Sequence, residues 1–147
     1  MCEIDTYLGH KGVAWCAAIT GNCQLAVTGA QNVEYLWEAR TGLLKGTLEH
    51  TPDLHVSCAV RSVAISSSLD GNEGGGTIVT GSSGKENHLL NIFDAERPDK
   101  CVLPMRRHQG IIRRVTFLPD DWSTVFSVSE DKTLREPTQM YQTHLVL

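Results

Sequence analysis

The chain has 147 residues, 41% hydrophobic and 20% charged, the profile of one globular domain and not of a disordered chain. A formal net charge of −4 argues against a general nucleic-acid binder, and no apolar run approaches the roughly 18 residues of a membrane-crossing helix. Thirteen glycines against five prolines favour many tight turns over proline-rich linkers.

No charged-then-apolar leader opens the chain, since Met1–His10 is mixed and carries Glu3 and Asp5. The five cysteines, Cys2, Cys16, Cys23, Cys58 and Cys101, are odd in number and none forms a C-x-x-C pair. Free, mostly buried thiols in a reducing compartment are expected, with neither a disulfide framework nor a zinc site.

Helical periodicity is scarce. Short β-branched or apolar runs recur instead, each closed by Gly, Asn, Asp or Ser, and these predict strands. In chain order they are Gly12–Ile19, Gln24–Thr28, Val33–Trp37, Val60–Ile65, Thr77–Thr80, His88–Phe93, Ile111–Leu118 and Ser123–Val128. Val13, Trp15, Ala17 and Ile19 alternate onto one face of the first, and Leu89, Asn91 and Phe93 onto one face of the sixth. Many short strands with regular turns indicate an all-β sandwich, barrel or propeller.

An internal repeat decides among these. One copy opens Leu8-Gly9-His10, passes Ala26-Val27-Thr28-Gly29 and reaches Tyr35-Leu36-Trp37-Glu38. A second opens Leu48-Glu49-His50, passes Val79-Thr80-Gly81-Ser82 and ends Asn91-Ile92-Phe93-Asp94. A third opens Arg107-His108-Gln109-Gly110 and reads Phe126-Ser127-Val128-Ser129-Glu130-Asp131 through Arg135. The histidines are 40 and then 58 residues apart, and the excess falls in Thr51–Ala59 and Asp70–Gly76, read as loop expansions.

At these residues the chain resembles the WD40-repeat family. The resemblance implies a β-propeller of four-stranded blades. It also implies a polar network within each blade, in which a turn Asp bonds the His, the His bonds a strand hydroxyl, and that hydroxyl bonds a Trp indole. Carried onto this sequence, the first copy offers His10, Thr28 and Trp37, with Gln31 at the Asp position and Glu38 for the closing Asp. The second offers His50, Thr80, Asn87 at the turn and Phe93 in place of Trp, which keeps the aromatic bulk but loses the indole donor. The third offers His108, Ser127 and Asp131, with Glu136 and Pro137 where Leu-Trp should follow. The units run approximately over 8–47, 48–105 and 106–135, with a divergent or truncated tail at 136–147.

Gly9-His10-Lys11-Gly12-Val13-Ala14-Trp15, Asn91-Ile92-Phe93-Asp94-Ala95-Glu96-Arg97-Pro98-Asp99 and Ser129-Glu130-Asp131-Lys132-Thr133-Leu134-Arg135 are similar to one branch of that family. That branch comprises cytoplasmic scaffolds associated with the survival-of-motor-neuron complex, spliceosomal ribonucleoprotein assembly and receptor-kinase signalling. A neighbouring branch is a WD40-type subunit of translation initiation factor 3. The resemblance therefore implies a non-catalytic protein-interaction scaffold, cytoplasmic with nuclear access, whose partners are other proteins of a multi-subunit assembly and not a membrane.

No chemistry-bearing motif competes with this. Val79–Glu86 lacks the first glycine and the hydroxyl of a Walker A loop, and a strand-to-strand turn is favoured there. No nucleophile, base and orienting acid are arranged locally, and His10, His50 and His108 fall in separate repeats, so no enzyme, metal or cofactor is expected. Residues 97–114 carry six Arg and Lys against Asp99 alone. That stretch reads first as a solvated inter-blade loop and strand face, and second as a contact for RNA or an acidic partner through Arg106, Arg107, Arg113 and Arg114. Trp122, after Pro119-Asp120-Asp121, is a candidate contact residue whose default is partial packing. Three copies make an open part of a ring that closes at roughly 4–8 blades. Uncovered blade edges are then expected to self-associate, and the loss of pattern at Glu136-Pro137 reads as an incomplete gene product.

Overall fold

The apolar runs form strands that pair with their neighbours in the chain, and the result in this computed structural model is all-β. The structure describes residues 9–31, 33–48, 59–67, 76–83, 88–118 and 121–136. The expected loop expansions at 51–58 and 70–75, the turn at 84–87 and the tail from residue 137 lie outside the described residues. No helix among the described residues is long and apolar enough to cross a membrane.

The first sheet comprises β1 (Cys16–Ile19), β2 (Leu25–Gly29), β3 (Glu34–Glu38) and β4 (Leu44–Leu48) in chain order. The second repeats this with β5 (Ala59–Ile65), β6 (Thr77–Ser83), β7 (Leu89–Asp94) and β8 (Arg97–Arg106). The third holds β9 (Ile112–Leu118), β10 (Asp121–Ser129) and β11 (Leu134–Arg135), so it shows three strands among the described residues. All pairings are antiparallel, and β1, β5 and β9 run beside one another as the inner strand of each sheet.

The core lies between the sheets. Leu25, Val27, Leu36 and Leu48 of the first meet Val60, Val63, Ile78 and Phe93 of the second. Val79, Leu90 and Ile92 on the other side of the second sheet meet Ile112, Val115, Phe117 and Val125 of the third. Both junctions use a glycine at the same repeat position. A Cβ on Gly29 would stand 2.8 Å from Val60 Cγ1, and one on Gly81 would stand 2.7 Å from Ile112 Cγ2. Hydrogen bonds also tie the junctions: Val60 N donates to the backbone Ala30 O at 3.1 Å, and Val115 N donates to the side-chain Ser62 Oγ at 3.0 Å.

Three strands differ from the sequence expectation. The first part of the stretch expected as an inter-blade loop and strand face is the ten-residue strand β8. It carries Pro98, Asp99, Lys100 and Pro104, a composition that suits the edge of a sheet, where a missing N–H and outward charges are tolerated. β4 and β11 were also unanticipated, one interrupted by Gly46 and the other only two residues long. The face carrying Ala17 and Ile19 is the exposed one, while Cys16 and Ala18 pack on the core. Cys23 is exposed rather than buried, in the turn between β1 and β2 with φ 56°.

Candidate functional site

The repeat-related polar residues divide by sheet. In the first, β2 presents Thr28 and β3 presents Trp37, which is 2% exposed. The Trp37 indole N–H donates to Thr28 Oγ1 at 2.8 Å, and His10 Nε2 lies 2.7 Å from the same oxygen. The hydroxyl can accept from the indole and donate to the imidazole, so one half-buried group serves two partners. Tyr35 packs between the rings, 4.7 Å from His10 and 5.4 Å edge-on to Trp37 by centroids. Burial holds His10 below its ordinary value of 6.5, against an opposing pull from Glu34.

In the third sheet, His108 Nδ1 lies 2.9 Å from Asp131 Oδ2 and His108 Nε2 lies 2.8 Å from Ser127 Oγ. The carboxylate can only accept, so Nδ1 carries the hydrogen. Asp131 also accepts from Gln109 N at 3.0 Å, Thr133 N at 2.9 Å and the Thr133 hydroxyl at 2.6 Å. Thr133 is the chief cause that holds the Asp131 carboxyl far below its ordinary value of 3.8; burial pulls the other way, and Gln109 and His108 add to the lowering. The serine–histidine–aspartate order imitates a nucleophile relay, but Ser127 is 0% exposed and its oxygen meets no solvent.

In the second sheet Thr80 and Phe93 are fully buried, with Phe93 in the core between sheets one and two. No described residue bonds the Thr80 hydroxyl. His50 and Asn87 lie outside the described residues, as does the Trp122 side chain. The Asp position also shifts. Asp131 stands four residues after Ser127, and the same count from Thr28 reaches Asn32, which is outside the described residues. Gln31 instead forms a backbone bridge to Ala59 of the next sheet.

The basic stretch is not one patch. Arg106 ends the outer strand β8 and Arg107 follows it, whereas Arg113 and Arg114 lie on the inner strand β9. Arg113 pairs with Glu130. Arg113 and Arg114 join Arg61, which the sequence reading passed over, in a trough of about 460 Å³ along β1, β5 and β9. Cys16 also lines it; burial and then Glu34 push its thiol up to about 11, so it stays protonated and a poor nucleophile. Among the described residues no three His, Cys, Asp or Glu side chains cluster to hold a metal ion.

Three like-built antiparallel sheets, side by side through glycine-spaced junctions and not closed into a ring among the described residues, make this an all-β fold of part-propeller architecture, similar to that of WD40 repeats. No family model matches the chain. It is similar to serine-threonine kinase receptor-associated protein from several organisms: 28% identical over 115 residues to that of Dictyostelium discoideum, covering 78% of this chain and 34% of the relative. The Mus musculus protein is 29% identical over 133 residues, 90% of this chain and 33% of its own length, and the Homo sapiens protein 28% identical over the same spans. The chain thus spans about a third of the length of these relatives.

Proposed function

We propose that the chain is a non-catalytic WD-repeat scaffold that joins other proteins into a multi-subunit assembly. The observation that carries this is where the reactive groups are. Ser127 and His108 are buried in a structural network and the Cys16 thiol is held protonated. What the surface offers is arginine and apolar side chains, the material of binding. The name shared by the relatives supports a receptor-kinase partner. The Asn91–Asp99 and Ser129–Arg135 segments support a role with the survival-of-motor-neuron complex in ribonucleoprotein assembly, in the cytoplasm with access to the nucleus. A translation initiation factor 3 subunit is the alternative within the same class of scaffold.

The test is direct binding of the purified chain to the cytoplasmic domain of a serine-threonine kinase receptor and to reconstituted survival-of-motor-neuron complex. Saturable binding to either supports the reading. Binding to neither, or hydrolase turnover abolished by Cys16→Ala, overturns it. A second reading, RNA contact, draws on the exposure of Arg106, Arg107, Arg113 and Arg114. Reversing the four charges should abolish RNA crosslinking, and a parent chain that never crosslinks refutes it. The exposed Val13, Ile19 and Leu44 at one end and Leu118, Val128 and Leu134 at the other support self-association through open blade faces. Sedimentation would show it as a mass that rises with concentration, and a concentration-independent monomer would refute it.

A further inference from the structure

The pairing registers place a repeated irregularity on the inner strands. In β5, Val60 faces Ser82 and Ser62 faces Gly81, so Arg61 is an extra residue without a partner across the ladder. In β9, Ile112 faces Ser129 and Arg114 faces Val128, so Arg113 is the extra residue. The same position in the first sheet, one before the Cys16 that faces Gly29, is Trp15. A bulge turns its extra side chain out of the pleat, and such residues gather at binding sites. The result is a row of Trp15, Arg61 and Arg113 across three consecutive sheets. The Arg61 guanidinium sits 4.3 Å above the Trp15 ring, and Arg114 stands exposed next to Arg113.

We propose that this row is a binding site for an acidic polypeptide segment, one carrying consecutive aspartate or glutamate side chains. The proposal deepens the scaffold reading and rests on it. No carboxylate lines the trough among the described residues. The stacked Trp15 ring fixes the Arg61 fork in place, and that pre-organisation lowers the entropy lost on pairing with a carboxylate. No described residue accepts from Arg61 Nε. Arg113 already holds one carboxylate, that of Glu130, on the exposed surface. Glu130 therefore occupies a position that a carboxylate of the ligand would take. A trough of about 460 Å³ matches a few side chains of an extended peptide. Single-stranded RNA fits less well, because it stacks base after base on open aromatic faces, and the row supplies one aromatic, Trp15, with one face taken by Arg61.

The experiment is fluorescence anisotropy of the whole chain with a labelled deca-glutamate peptide, repeated with deca-uridylate and at rising salt. The parent chain should bind deca-glutamate more tightly than deca-uridylate. Arg61→Gln and Arg114→Gln should each weaken deca-glutamate binding about tenfold. Glu130→Gln should strengthen it several-fold, a gain that misfolding cannot imitate. Arg97→Gln, on the outer strand, should leave it unchanged. The proposal is overturned by no binding at low salt, by tighter binding of deca-uridylate through the same arginines, by equal loss in Arg97→Gln, or by weaker binding in Glu130→Gln. A chain that fails here yet binds the receptor or ribonucleoprotein partner loses only this site; a chain that binds deca-glutamate but no protein partner loses the scaffold reading.

Discussion

The Thr28 hydroxyl is the hinge of the first sheet's polar network, and Thr28→Val removes it while keeping the shape of the side chain. Two bonds are lost together, to His10 Nε2 and from the Trp37 indole. A net hydrogen bond contributes about 1 kcal/mol, and a buried donor left unmet costs about 1–3 kcal/mol. Trp37 is 2% exposed, so water cannot replace the lost acceptor. Thr28→Val should therefore cost about 2–3 kcal/mol, and Trp37→Phe a similar amount through the lost donor and the space its larger ring filled. The indole–hydroxyl bond can be lost only once, so the double variant should fall short of the sum by about 1 kcal/mol. Urea denaturation followed by far-ultraviolet circular dichroism measures all four proteins without relying on tryptophan emission. Additive losses, with a coupling under about 0.3 kcal/mol, would refute the shared-hydroxyl account.

Ser62→Ala should cost about 1–3 kcal/mol, because the buried Val115 N–H loses its acceptor across the second junction; a change under about 0.5 kcal/mol in the same denaturation assay would mean that the N–H finds another acceptor. Acid should act in two windows. His10 is depressed in the fold, so its contribution is full above its ordinary 6.5 and is lost as pH falls from there through the lower folded value; the urea midpoint should drop across that window in the parent and stay flat across it in His10→Gln. Asp131 is depressed likewise, so its contribution is present above its ordinary 3.8 and fades only below it; Asp131→Asn should be weaker near neutrality and should lose that acid dependence.

What the sequence disclosed tracks what each feature depends on. The apolar inner strands were legible because their runs are short, β-branched and bounded by turn residues. β8 was not, because Arg97, Pro98, Asp99 and Pro104 lack every strand preference. Its strand state comes from β7, whose Leu90 and Ile92 pair with Met105 and Leu103. The resemblance to the WD40 repeat brought out His10, Thr28 and Trp37, which hold that repeat's positions. It could not bring out the Trp15–Arg61–Arg113 row, since a bulge is a mismatch between two strands and leaves no trace in either alone. A contiguous run of arginines suggested one patch, yet the chain passes from an outer strand to an inner one between Arg107 and Arg113.

The three sheets differ in how they are packed. The second sheet is covered on both sides, by the first sheet over Ile78 and Phe93 and by the third over Val79 and Leu90. Apolar contact on both faces holds it, with Phe93 buried in the core where the first sheet has an indole. The first and third sheets are each covered on one side among the described residues, and these are the sheets whose His-to-hydroxyl bonds are drawn between described residues. Polar networks there hold what packing does not. Native-state hydrogen exchange should consequently be slowest at the amides of β6 and β7, with free energies close to global unfolding, and faster in β2, β3 and β10. Thr28→Val should speed exchange in β2 and β3 and leave β6 and β7 nearly untouched. Equal protection in all three sheets, or slower exchange in β2 than in β6, would show that the sheets unfold as one unit and that the polar networks do not mark where packing is thin.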